Sequence, residues 1–69
     1  MTSEEIVKIE RYLRRRMGHA GFTIEAGARK DSSAEVSIDG EFVGVIFKDT
    51  EDGEVSYDFH MTILAEDLR

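Results

Sequence analysis

Asp39-Gly40 separates two short runs, Ala34-Glu35-Val36-Ser37-Ile38 and Glu41-Phe42-Val43-Gly44-Val45-Ile46-Phe47. An Asp-Gly pair in this setting is a strong β-hairpin signal, because both central residues of a type I′ turn need positive φ and these two residue types tolerate it. A two-residue turn also sets the pairing: Ile38 opposite Glu41, Val36 opposite Val43 and Ala34 opposite Val45. The third strand then adds Val43, Val45 and Phe47 to the face that carries Ala34, Val36 and Ile38.

The flanking segments extend this sheet. Phe22, Ile24, Ala26 and Ala28 alternate with polar residues or glycine, the period of a half-buried strand, and Lys30-Asp31-Ser32-Ser33 is a polar turn into the hairpin. Beyond the loop Asp49-Thr50-Glu51-Asp52-Gly53, Val55, Tyr57, Phe59 and Met61 alternate with Ser56, Asp58, His60 and Thr62. Pairing Lys48 with Glu54 sets Phe47 by Val55, Val45 by Tyr57 and Val43 by Phe59. Val43, Val45, Phe47, Val55, Tyr57 and Phe59 then share one face.

Before the sheet, Thr2 and Glu5 have capping-box spacing, and Glu4 and Glu5 suit the positive end of a helix macrodipole. Ile6, Ile9, Leu13 and Met17 fall on one stripe flanked by Val7 and Tyr12. Arg14, Arg15 and Arg16 suit the carbonyl end, and Gly18 can close the helix. The spacing predicts a helix over 3–17. The tail Ile63-Leu64-Ala65-Glu66-Asp67-Leu68 is compatible with a short helix, Leu64 and Leu68 one turn apart, although two turns alone are marginal in water. The fold class is α+β: an N-terminal helix packed on one face of a four-stranded antiparallel meander, with a possible short C-terminal helix.

At 69 residues the chain is one domain, 1–69, near the lower size limit for a single core. With 41% apolar and 35% charged residues it should be globular. The expected core is Ile6, Ile9, Leu13, Met17, Phe22, Ile24, Val36, Ile38, Val43, Val45, Phe47, Val55, Tyr57 and Phe59. A core of this size leaves a thin stability margin, which dimerisation would widen. Cysteine is absent, so neither disulfides nor thiolate metal ligands add stability. No apolar run approaches the length that spans a membrane, and the N-terminus does not read as a signal peptide; the expectation is a cytoplasmic protein without membrane contact. The net charge of −6 is unevenly spread. Residues 1–30 carry seven Lys or Arg against four Glu, whereas 31–69 carry Lys48 and Arg69 against eleven acids.

The same register leaves Phe42, Gly44, Ile46, Asp58 and His60 on the second sheet face, with Glu35, Ser37, Lys48 and Ser56. Phe42 and Ile46 are out of place on a polar face, and Gly44 between them would let a backbone approach closely. Two explanations stand: the C-terminal segment covers this face through Leu64 and Leu68, or a second copy or a foreign protein does. Ser56, Asp58 and His60, two residues apart on one flat strand, lack the pocket and oxyanion donors of acyl transfer. His19 reads as a loop residue and has no metal-ligand spacing with His60. The acidic loop Asp49, Glu51, Asp52, Glu54 departs from a calcium-binding EF-hand loop, since Lys48 and Phe59 would stand where acids are needed. No catalysis, cofactor or metal is expected. Lys8, Arg11 and Arg15 point away from the apolar stripe and form a small basic patch, the basis of an alternative reading as an RNA-binding domain. Helix followed by antiparallel strands is also the order in double-stranded-RNA-binding domains, but here four strands replace three and the sheet and tail are acidic. Phosphate binding would oppose the net charge.

Tyr12-Leu13-Arg14-Arg15, Arg29 to Val36, Gly40-Glu41-Phe42-Val43-Gly44-Val45, Asp52-Gly53 through Ser56-Tyr57, and Ile63 to Leu68 together resemble a family of short bacterial proteins of unknown function. The resemblance spans nearly the whole chain and contains no functional motif. It implies a stand-alone cytoplasmic bacterial domain and no particular activity. The expected function is a non-enzymatic interaction or self-association module that uses the face with Phe42 and Ile46.

Overall fold

Thr2 starts the helix as its spacing to Glu5 predicts. In the computed structural model, which describes residues 1–26 and 33–68, the Glu5 N–H donates to Thr2 Oγ1 at 3.1 Å and the Thr2 N–H donates to Glu5 Oε1 at 2.9 Å. Two otherwise orphaned donors are thereby satisfied. Helix α1 covers Ser3–Met17 and ends at Gly18 in the left-handed conformation, whose N–H donates to the Arg14 carbonyl.

Four strands follow, β1 Phe22–Ala26, β2 Ser33–Ile38, β3 Glu41–Asp49 and β4 Ser56–Met61, in one antiparallel sheet of order β1-β2-β3-β4. The expected continuation of the first strand through Ala28 and residues 30–32 of the expected 30–33 turn lie outside the described residues, and Ser33 belongs to β2 rather than to the turn. Short 3-10 turns form at Glu51–Gly53 and Ala65–Leu68, the second in place of the expected terminal helix.

The turn forms as expected, with Asp39 at φ 51° and Gly40 at φ 84°. The ladder beyond it does not. Ile38 pairs Glu41 and Ser37 pairs Phe42, but Val36 pairs Gly44 and Ala34 pairs Ile46, so Val43 is an extra, bulged residue. One added residue exchanges the faces of all that follows. Ile46, expected on the second face, is 1% exposed at the centre of the core. Val45 and Phe47, expected in the core, stand on the far side. The physical reason lies in Phe42 to Phe47, which are apolar on both faces, so a one-residue slip carries no penalty in periodicity.

The next ladder is also shifted. Lys48 pairs Tyr57 rather than Glu54. The Glu51 N–H donates to Asp49 Oδ1 at 2.9 Å and the Glu54 N–H to the Glu51 carbonyl at 3.2 Å, which folds these residues into a turn and draws Val55 out of the sheet. Val55 is exposed, as is Met17 at the end of the helix.

The core forms where Leu13 of α1 meets Phe22, Ile24, Ala34, Val36 and Ile46. Ile6, Ile9, Ile38, Val43 and Phe59 pack around it. Helix α1 is fixed to β1 by more than apolar contact. Arg14 Nε donates to the Phe22 carbonyl at 3.0 Å, the Ile24 N–H donates to Glu10 Oε2 at 3.0 Å, and Arg14 and Glu10 pair at 2.9 Å. Phe22 and Ile24 are two residues apart, so both of these backbone groups point away from β2. Two backbone groups at the free edge of β1 are therefore taken by helix side chains. Helix α1 lies over the β1 side of the sheet and leaves a hollow toward β4.

Gly44 sits close against the backbone of β4. A Cβ there would meet the His60 carbonyl oxygen and stand 2.9 Å from Met61 Cα and from a Phe59 ring carbon. The gap expected at Gly44 is filled by the neighbouring strand, not left for a partner. Gly44→Ala is expected to cost about 1 to 3 kcal/mol, and thermal unfolding followed by circular dichroism should show a fall of ~4 to 8 °C for each kcal/mol. An unchanged midpoint would contradict this packing.

Candidate functional site

With α1 on one side of the sheet, the other side carries Thr23 and Glu25 of β1, Glu35 and Ser37 of β2, Phe42, Val45 and Phe47 of β3, and Ser56, Asp58 and His60 of β4. Phe42 is 55% and Phe47 46% exposed, and Val45 is half-buried between them. The His60 ring packs edge-on to Phe47 at a centroid distance of 5.3 Å. Glu35 pairs Val45 on one side and Glu25 on the other, while Asp58 pairs Phe47. The result is an aromatic stripe along β3 bordered by carboxylates.

Of the five residues expected here, Phe42, Asp58 and His60 lie on this face. Gly44 and Ile46 face α1 and are replaced by Val45 and Phe47. Only the bulge separates the two sets, and no residue of the sequence announces it. His60 stands opposite Val45 rather than Phe42, and Asp58 opposite Phe47 rather than Gly44. The tail does not cover the face: Phe42 borders a hollow of about 570 Å³ together with Ile63, Leu64 and Asp67, yet remains half exposed.

On the helix, Lys8, Arg11 and Arg15 are exposed as expected, with Lys8 paired to Glu4 at 3.4 Å. Arg14 is engaged by Glu10 and the Phe22 carbonyl. His19 accepts the Gly21 N–H at Nδ1, 2.8 Å away, and its Nε2 lies 3.4 Å from Asp39, which ties the end of α1 to the hairpin turn. Among the described residues, no three His, Asp or Glu are placed to hold a metal ion, and no helix is long and apolar enough to cross a membrane.

One ionic cluster escaped sequence reasoning altogether. Glu5 Oε2 accepts from Lys48 Nζ at 2.8 Å and from the Tyr57 hydroxyl at 2.5 Å. These contacts bind the start of α1 to β3 and β4. The hydrogen bond from Lys48, with those from the Thr2 backbone and Tyr57, holds the Glu5 carboxyl down at about 2. The bond to Glu5 raises Lys48 and Tyr57 above their ordinary values of 10.5 and 10.0. Shifted groups often mark chemistry, but here the three satisfy one another and the cluster acts as a clamp.

Compared with known proteins, residues 5–67 match the sequence model of a family described as "Protein of unknown function (DUF3126)". No curated protein and no solved structure matches the chain.

The clamp has a pH signature. Because Glu5 is lowered from 4.5 to about 2, its contribution to stability is complete above 4.5 and is lost as pH falls through about 2. Glu5→Gln keeps the size of the side chain and removes the charge. Urea unfolding should show wild type more stable than Glu5→Gln at neutral pH, with the difference shrinking below pH 4.5. Parallel stability curves down to pH 2 would contradict the clamp.

Proposed function

The chain belongs to the DUF3126 family over nearly its whole length, a family without an assigned activity, and from its own surface we propose that it is a non-enzymatic protein-interaction module. The outer sheet face is the surface it uses. The observation that carries this reading is the exposure of Phe42 and Phe47 on a face that neither α1 nor the tail covers. Exposed aromatics clustered beside a His, with carboxylates around them, are costly to leave in water and typical of an interface centre. Glu25, Glu35 and Asp58 favour a partner segment rich in Lys or Arg.

Catalysis has little to support it on this face. Ser56, Asp58 and His60 follow one another along an open strand, and His60 is held edge-on by Phe47, away from any arrangement of a nucleophile with oxyanion donors. The alternative, RNA binding through Lys8, Arg11 and Arg15, draws on few free cations, since Lys8 is paired with Glu4 and the net charge is −6.

Affinity capture from the native cell tests this reading when wild type is compared with Phe42→Asp and Phe47→Asp. Both positions are exposed, so the fold should survive in each. The expected outcome is a protein retained by wild type, released by raised salt and lost from both variants. Retention by the variants equal to wild type would overturn the assignment of this face.

A further inference from the structure

The hollow that α1 leaves toward β4 is a groove of about 590 Å³ with a floor of Ile9, Leu13, Ile46 and Phe59. Arg16 and Lys8, the latter paired with Glu4 at 3.4 Å, also line it and are exposed, so two cations stand at its border.

The tail is the complement of this groove. Ile63, Leu64 and Leu68 are 63%, 50% and 74% exposed, and Glu66 and Asp67 stand between the two leucines. Its own chain directs it elsewhere. The Thr62 N–H donates to the Val43 carbonyl at 2.9 Å, and Leu64 and Asp67 line the hollow beside Ile38 and Phe42 at the hairpin end of the sheet. Ile63, Leu64 and Leu68 thus keep half or more of their surface in water, with two exposed acids among them, while an apolar groove with two cations at its border stands empty of chain.

We propose that the protein is a homodimer in which the C-terminal segment 62–68 of each copy occupies the groove between α1 and β4 of the other. Ile63, Leu64 and Leu68 cover the apolar floor, and Glu66 and Asp67 meet Lys8 and Arg16 of the second copy. The uneven charge of the chain, basic in its first part and acidic in its last, is the complementarity that a reciprocal exchange requires. The outer sheet face takes no part, so it stays available on both copies.

Sedimentation equilibrium tests the exchange with two charge-reversed proteins, Lys8→Glu with Arg16→Glu, and Glu66→Lys with Asp67→Lys. All four positions are exposed, and circular dichroism checks the fold. Wild type should sediment as a dimer at about 100 µM, a concentration well above micromolar dissociation constants. Each reversed protein alone should self-associate at least about tenfold more weakly, because it sets like charges against each other. An equimolar mixture of the two should restore the dimer, since the reversed groove of one then receives the reversed tail of the other. Leu68→Asp, at an exposed position, should also lose the dimer. A wild-type monomer, a dimer indifferent to either reversal or to Leu68→Asp, or a mixture that stays monomeric would each overturn the proposal.

Discussion

Val43 is one residue more than the ladder between β2 and β3 can pair, and the inner and outer faces of the molecule depend on where that residue is inserted. Before the bulge, Phe42 points outward. After it, Gly44 and Ile46 turn inward while Val45 and Phe47 turn outward, so the centre of the core and the aromatic stripe of the outer face are set in the same step. The bulged residue is itself well used. Val43 packs partly against the core, and its carbonyl accepts the hydrogen bond that anchors the start of the tail.

Helix α1 is held by polar contacts at both ends, and the core lies between them. At its start Glu5 reaches across to Lys48 and Tyr57; further along, Glu10 and Arg14 grip the backbone of β1. The first contact spans the sheet toward β4, whereas the second draws the helix toward β1. A hollow remains where these two demands diverge. Its floor includes Ile46, the residue that the bulge turned inward, so the geometry of the groove follows from the same irregularity that shaped the opposite face.

Features set by neighbouring residues were legible in the sequence. The capping box at Thr2 and Glu5, the Gly18 stop and the Asp39-Gly40 turn each depend on a few consecutive positions, and each forms as expected. Strand β4 was legible because its strict alternation specifies one face, and it placed Asp58 and His60 correctly. Strand β3 was not, since a segment apolar on both faces gives no periodic signal about which side is inward. Hence Phe42 was found and Phe47 missed, while Ile46 was assigned to the wrong side. The Glu5 cluster was beyond reach for a different reason. Tyr57 is 52 positions from Glu5, and the capping box that singles out Glu5 carries no signal about partners so far along the chain.

The grip of Glu10 and Arg14 on β1 has one more consequence. A sheet with two open edges can add strands at both and grow without limit, which is the route to fibres. Here the Phe22 carbonyl and the Ile24 N–H of one edge already bond to side chains of the same chain, so an added strand would have to displace Arg14 and Glu10 before it could pair there.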